Sequence, residues 1–205
     1  MSLEKQIYYG TITAMDEQIG RLWDKLGELN IQENTIIWFC SDNGPELRTP
    51  GSAHEFRGKK RDLYEGGIRV PAFVIWKNHL EKGKTINAPA VTSDYLPTML
   101  DILNIDYPSK RPIDGESLIK VIRKKNKKRK KPIGFIYGKQ ISWVNNQFKL
   151  ISPDKGNTFE LYNLTNDKSE KNNIINSNPK IAAKMKKELT KWLASVENSK
   201  AGNDY

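Results

Sequence analysis

Two short apolar runs constrain this chain more than anything else in it: Ile36-Ile37-Trp38-Phe39-Cys40 and Val70-Pro71-Ala72-Phe73-Val74-Ile75-Trp76. Both are too short for a core helix and rich in β-branched and aromatic residues. Each predicts a strand buried on both faces, as in a parallel sheet. Pro71 falls where a strand start or edge tolerates it. From Pro45 to Gly67, glycines, prolines and charges follow no period. That predicts a long surface loop, the kind of segment that carries function. Upstream, Ile12, Met15, Ile19, Leu22, Trp23, Leu26 and Leu29 recur at three- and four-residue steps, predicting an amphipathic helix that ends near Asn30. Downstream, Thr92 or Ser93 can cap a helix carrying Tyr95, Leu96, Met99, Leu100 and Leu103, with Pro97 in its first turn. Helix, strand, loop, strand, helix is the order of an α/β layer.

After Leu118 the pattern changes. Short alternating runs at Ile133–Tyr137, Ile141–Val144, Phe148–Ile151 and Thr158–Tyr162 are separated by turn residues, predicting a small antiparallel sheet. Ile181, Met185, Leu189, Trp192 and Leu193 then mark an amphipathic helix over roughly Pro179 to Val196. The expected organisation is an α/β segment over 1–118, a basic linker or loop over 119–132, and a small antiparallel sheet with a C-terminal helix over 133–205.

The charge supports a linker. Of the +10 net charge, eight units sit in the nine residues from Arg123 to Lys131, RKKNKKRKK, and the rest of the chain is close to balance. A block of like charge reads first as a self-repelling, solvated loop. The alternatives are a localisation patch or a contact for a polyanion. No aromatic residue interrupts the run, so it offers no platform for stacked bases.

Other classes are excluded by what the chain lacks. No run of about 18 apolar residues exists to span a bilayer. The polar start, Met1 to Gln6, predicts no secretory signal in this chain. One cysteine, Cys40, cannot build a disulfide framework or a multi-cysteine zinc site, and two histidines make a His-rich site unexpected.

Two segments carry candidate chemistry. Ser41-Asp42-Asn43-Gly44 directly follows the first apolar run, and ligands of open α/β sheets bind at carboxyl ends of strands. Asp42 and Asn43 offer hard oxygen donors of the kind calcium or magnesium takes, although the same tetrapeptide is also an ordinary turn former. Calcium needs six to eight oxygens. No second acidic cluster stands at a comparable strand end, so this pair is half a site. The second segment is Arg57-Gly58-Lys59-Lys60-Arg61, followed by Asp62-Leu63-Tyr64-Glu65-Gly66-Gly67-Ile68-Arg69-Val70-Pro71. Four cations in five positions can hold an oxyanion, with lysine as a point charge and arginine as a fork. A solvated basic loop with a glycine turn is the plainer reading.

In combination these segments resemble the sulfatase family. Met15-Asp16-Glu17-Gln18-Ile19-Gly20, Asn34-Thr35-Ile36-Ile37, Ser41-Asp42-Asn43-Gly44 and Gly58 to Pro71 occur in the family's order. So do Ser93-Asp94-Tyr95-Leu96-Pro97-Thr98, Asp114-Gly115-Glu116-Ser117-Leu118, and the closing segment from Glu160-Leu161-Tyr162-Asn163-Leu164 to Glu170. The tandem of SDNG and K-x-x-x-YEGG-x-R-x-P is highly specific, and the likeness runs through nearly the whole chain.

The resemblance implies the C-terminal part of an alkaline-phosphatase-like α/β sandwich, followed by a small antiparallel α+β subdomain. It implies hydrolysis of sulfate esters by a formylglycine made within a C/S-x-P-S-x-R motif, with a bound calcium ion (magnesium less so). Asp42 and Asn43 take the place of metal ligands, and Lys60 that of the sulfate-binding, charge-stabilising lysine. His54 and Arg57, in the loop between the matching motifs, are candidates for substrate contact, against the plainer reading of a solvated loop histidine. The nucleophile motif, the first pair of aspartates and the upstream catalytic histidine belong to an N-terminal half that this sequence does not contain. Cys40 lacks the motif's proline and arginine. Asp106-Tyr107-Pro108-Ser109-Lys110-Arg111 fits part of its frame but lies too far along the chain.

The expectation is therefore a segment, inactive alone, whose partners are the missing half of the fold and a sulfate ester, with a sulfated glycan as the candidate substrate. The parent's expected location is extracytoplasmic: periplasmic, secreted or lysosomal. A phosphoesterase or phosphonate hydrolase of the same superfamily and a non-catalytic polyanion-binding remnant are the competing expectations.

Overall fold

The computed structural model describes residues 1–107, 111–123 and 128–204. Most of the basic run's centre, 124–127, and the proline-serine-lysine part of the 106–111 look-alike, 108–110, lie outside the described residues. The chain forms two compact units, Met1–Lys84 and Thr85–Tyr205.

The first unit opens with helix α1, Leu3–Glu28. Ser2 caps its start, its hydroxyl accepting from the Lys5 N–H, with Glu4 in the positive first turn. At the other end Asn30 adopts a left-handed φ of 56°. The Asn30 N–H donates to the Gly27 carbonyl and the Ile31 N–H to the Leu26 carbonyl, the paired closure of a Schellman cap. The helix therefore ends at the expected place for a local reason. Its apolar stripe is a different matter. No residue of α1 is buried, and Ile12, Met15 and Leu22 lie on the surface of this chain.

A 3-10 turn, Gln32–Asn34, leads to strand β1, Ile37–Cys40. The chain then runs through a loop, makes one short turn of helix, α2 (Glu65–Ile68), and returns as strand β2, Ala72–Ile75. β1 and β2 pair antiparallel, from Ile37 opposite Ile75 to Cys40 opposite Ala72, with Phe39 and Phe73 stacked at 4.8 Å between ring centres. This corrects the expectation of parallel-sheet strands buried on both faces. Neighbouring parallel strands need a crossover helix, and the connection here holds a single helical turn and folds back on itself. β1 is half-buried along its length, and Phe73 on β2 is exposed.

The second unit begins with a 3-10 turn, Thr92–Asp94, running into helix α3, Tyr95–Leu103, which ends at Asn104 in the left-handed region. Pro97 sits in the first turn, where its missing N–H costs no helical bond. Helix α4 is one turn, Ile119–Ile122. Strands β3 (Ile133–Tyr137), β4 (Gln140–Asn145), β5 (Phe148–Ser152) and β6 (Glu160–Asn163) form an antiparallel sheet in sequence order. Two-residue turns at Gly138-Lys139 and Asn146-Gln147 set the register, with Gly138 and Asn146 supplying the positive φ such turns require. Helix α5, Pro179–Lys200, covers one face. Ala182, Met185 and Leu189 of α5 pack with Ile141, Trp143, Leu150 and Leu161 of the sheet as one core, and each large side chain so buried contributes about 1.5–3 kcal/mol. α5 ends in a second Schellman cap at Gly202, closed by Gly202 N–H to Ser199 O and Asn203 N–H to Asn198 O.

Two buried ion pairs brace this unit. Lys149 of β5 and Glu170, both without solvent contact, meet at 2.9 Å. Asp94 and Arg129 form a two-pronged pair at 2.8 and 3.0 Å, and the Asp94 carboxylate also accepts the Val91 and Glu116 N–H groups. Arg129 donates further to the Pro89 and Lys131 carbonyls, and Lys131 Nζ donates to the Ile113 and Gly115 carbonyls. The basic run is thus not a solvated linker throughout. Its Arg129 is 3% exposed, because a charge that finds a carboxylate and spare carbonyls can be buried where an unpaired one could not.

Arg129→Ala leaves Asp94 buried without its cation and is expected to cost about 3–5 kcal/mol in urea unfolding, whereas exposed Lys128→Ala changes stability by less than about 0.5 kcal/mol. A milder pH effect comes from Asp154, in the β5–β6 loop. The Thr158 N–H and hydroxyl hold its carboxyl below the usual range. Its contribution is complete above the unfolded aspartate value of about 3.9 and is lost as pH falls through the lower folded value. Asp154→Asn should flatten acid unfolding of this unit, read by tryptophan fluorescence, in that window.

Candidate active-site loop

The site is built where β1 ends and β2 begins. The Ser41 N–H donates to the Pro71 carbonyl at 3.0 Å, carrying the ladder one step beyond the strands. From there Asp42, exposed, and Asn43, half-buried, turn into Gly44. The Asn43 amide nitrogen donates to the Gly44 carbonyl at 3.0 Å, which turns its donor end inward and leaves the side-chain oxygen as the end suited to a cation.

Gly44 is fully enclosed by the other end of the loop. Its N–H donates to the Gly67 carbonyl at 2.9 Å, and a Cβ at this position would stand 1.8 Å from the Gly66 carbonyl oxygen. Gly66 is held as tightly against the basic segment. Its N–H bonds the Arg57 carbonyl, and a Cβ there would lie 2.2 Å from the Gly58 oxygen. Only glycine permits backbones to pass this close. The SDNG and YEGG segments are therefore two sides of one backbone-to-backbone contact.

That contact delivers the cations. The Lys60 N–H donates to the Pro45 carbonyl at 3.0 Å, two residues beyond Asn43. The Lys60 ammonium is partly exposed and lies 3.7 Å from a Glu46 carboxylate oxygen. Arg61 Nη1 lies 2.9 and 3.0 Å from the two oxygens of the same carboxylate. The Leu47 backbone N–H first, and then Arg61, hold the Glu46 carboxyl below its usual range. The Arg57 guanidinium lies 3.7 Å above the centre of the Tyr64 ring, a cation–π contact that fixes it beside Gly58. His54 is exposed at a left-handed φ of 52°, its N–H on the Ser52 hydroxyl. Backbone bonds thus tie the segment that carries Asp42 and Asn43 to the one that carries Arg57 and Lys60, while the bond of His54 runs to Ser52 instead.

The donor set fits part of a metal shell. Asp42 and Asn43 supply adjacent hard oxygens, but among the described residues no group of three or more His, Cys, Asp or Glu could hold a metal ion.

The sulfatase family model matches residues 4–105, the stretch that contains every one of these residues. The chain belongs to the sulfatase family. An arylsulfatase of Clostridium perfringens is 33% identical over 183 residues, which is 84% of this chain and 36% of that protein. Among solved structures, Ps i-CgsB in complex with k-i-k-neocarrahexaose superposes with a TM-score of 0.85 at 28% identity, covering 94% of this chain and 44% of that one. BT4656 in complex with its substrate D-glucosamine-2-N,6-O-disulfate gives a TM-score of 0.66 at 29% identity, over 95% and 40%. The fold is thus that of the alkaline-phosphatase-like sulfatases, with a small antiparallel subdomain. This sulfatase chain spans 20%, 22% and 39% of the lengths of three curated relatives.

The loop also holds a residue that a reading of the sulfatase motifs passes over. Glu46 reaches Lys60 and Arg61 across an aperiodic stretch, and no spacing rule connects them. Glu65, 5% exposed, pairs with Arg69 at 3.4 Å. Both belong to the YEGG-x-R element, whose i, i+4 spacing suits such a pair.

Gly66→Ala forces the two sides of the loop apart and is expected to cost about 3 kcal/mol or more, at the severe end of single substitutions. Gly20→Ala, in α1 with nothing within 4 Å of the new methyl, should instead stabilise by about 0.5–1 kcal/mol. Chemical denaturation of the two variants checks both signs.

Proposed function

We propose that this chain supplies part of the active centre of a sulfuric ester hydrolase. Asp42 and Asn43 contribute half of a divalent-metal site, calcium in preference to magnesium, and Lys60 binds the sulfate and stabilises its developing charge. The observation that carries this reading is the Gly44–Gly67 contact with its companion bond from Lys60 to Pro45. Together they bring two oxygen donors and one ammonium to a single loop.

A divalent ion bound there would act as a Lewis acid toward the sulfuryl oxygens. Lys60 needs no proton transfer for its part. Its fixed positive charge orients the sulfate and offsets negative charge as the ester bond breaks. Asp42 and Asn43 supply only part of the six to eight oxygens calcium takes. The remaining ligands and the formylglycine nucleophile belong to sequence other than these 205 residues, in which no C/S-x-P-S-x-R occurs. On this reading the chain alone does not turn over sulfate esters. Sulfated saccharides are the proposed substrate class, supported by the saccharide complexes of the similar structures. Family likeness supports an extracytoplasmic site of action, and no helix among the described residues is long and apolar enough to cross a membrane.

The burial of Arg129 weighs against reading the basic run as a polyanion site, since its guanidinium is already spent on Asp94. In the full-length enzyme, Lys60→Ala should lower kcat/KM on 4-nitrophenyl sulfate about 10²–10³-fold, the range for one lost oxyanion donor. Calcium calorimetry should show weaker binding for Asp42→Ala. Turnover by Lys60→Ala within twofold of the parent sinks the assignment, and a preference for 4-nitrophenyl phosphate over the sulfate would move the enzyme to the phosphoesterase branch.

A further inference from the structure

Lys60 is followed by a residue whose backbone is out of the ordinary. Arg61 adopts φ of 78°, in the left-handed region that side chains other than glycine, Asn and Asp rarely enter. The conformation is costly, and such strain persists where surrounding contacts over-determine it. Here the contacts converge on Glu46. One Arg61 nitrogen bonds both carboxylate oxygens, and the Lys60 ammonium lies beside one of them.

Glu46 is itself fixed. Its carboxylate accepts the Leu47 N–H at 2.9 Å, and its carbonyl accepts the Thr49 N–H and hydroxyl at 3.3 and 3.0 Å. The adjacent Pro45 carbonyl takes the Lys60 N–H. One short segment directly after the candidate metal ligands therefore grips both the backbone and the charge of the cationic loop.

Stability does not explain this arrangement. The Glu46, Lys60 and Arg61 side chains are 31%, 36% and 54% exposed, and partly exposed pairs of this kind contribute little to folding. What the carboxylate does control is charge. Left alone, Arg61 would present a fork next to Lys60, and guanidinium groups take oxyanions in two-pronged geometry. With Arg61 bound to Glu46, the cation offered to a sulfate is Lys60, and its reach is limited by the same carboxylate.

We propose that Glu46 is a positioning residue for Lys60: by binding Arg61 and holding the Lys60 ammonium 3.7 Å from its own carboxylate, it makes Lys60, rather than Arg61, the cation that meets the ester. The proposal rests on the assignment of Lys60 to sulfate binding.

The test uses the full-length, calcium-loaded enzyme on 4-nitrophenyl sulfate. Glu46→Gln should lower kcat at least tenfold with KM unchanged or reduced, because the released Arg61 adds binding without adding correct orientation, and Glu46→Asp should recover part of the loss. In the Lys60→Ala background the same Glu46→Gln change should cost less than twofold. An equal tenfold loss in both backgrounds would show that Glu46 does not act through Lys60 and would overturn the proposal. A Lys60→Ala enzyme with parental turnover would instead overturn the sulfate-binding assignment itself.

A second measurement needs no turnover. In the reductively ¹³C-methylated protein, the Lys60 resonance should stand apart from those of exposed lysines such as Lys130 and collapse onto them in Glu46→Gln. If it does not move, Glu46 does not position Lys60.

Discussion

The candidate site in this chain depends on one contact between backbones. Gly44 and Gly66 leave no room for a methyl group, and through that closeness the two ends of a long loop share hydrogen bonds directly. The donor oxygens of Asp42 and Asn43 come from one end and the ammonium of Lys60 from the other. The glycines of the two motifs are part of the site's mechanism of assembly, not merely flexible turn residues.

Much of the second unit was legible beforehand because its determinants are local. Period-two alternation with Gly138 and Asn146 at the turns marks four strands in order, and the stripe from Ile181 to Leu193 marks the helix above them. The first unit misled where the determinants are distant. The runs ending in Cys40 and Trp76 look alike whether their strands run parallel or antiparallel, and only the path of the loop between them decides. α1 shows the converse case. Its stripe and its end near Asn30 are readable, yet whether a stripe is covered depends on what packs against it, which no spacing within the helix reports.

The site divides in the same way. Asp42, Asn43 and Lys60 stand out because whole motifs carry them. Glu46 does not, since it acts through Lys60 and Arg61, partners well removed in sequence, and in the second unit Arg129 is hidden in the same way. Arg129 is the clearest instance. Inside a run of eight cations it looks like one more solvated charge, and only the fold shows that its guanidinium closes on Asp94 and on the Pro89 and Lys131 carbonyls. A charge count locates such residues but cannot sort the buried from the exposed.

The caps of α1 have a consequence in time. The bonds of a 26-residue helix with its own stop signals are all local, and helix formation of this kind is a sub-microsecond to microsecond event. The tight hairpins of the second unit come next, on the microsecond scale. The active-site loop is different. Its decisive bonds, from Gly44 to Gly67 and from Ser41 to Pro71, join residues far apart along the chain, and such contacts must first meet the entropy of closing the intervening loop. Ordering of this loop is therefore expected to follow that of the local helix and hairpins.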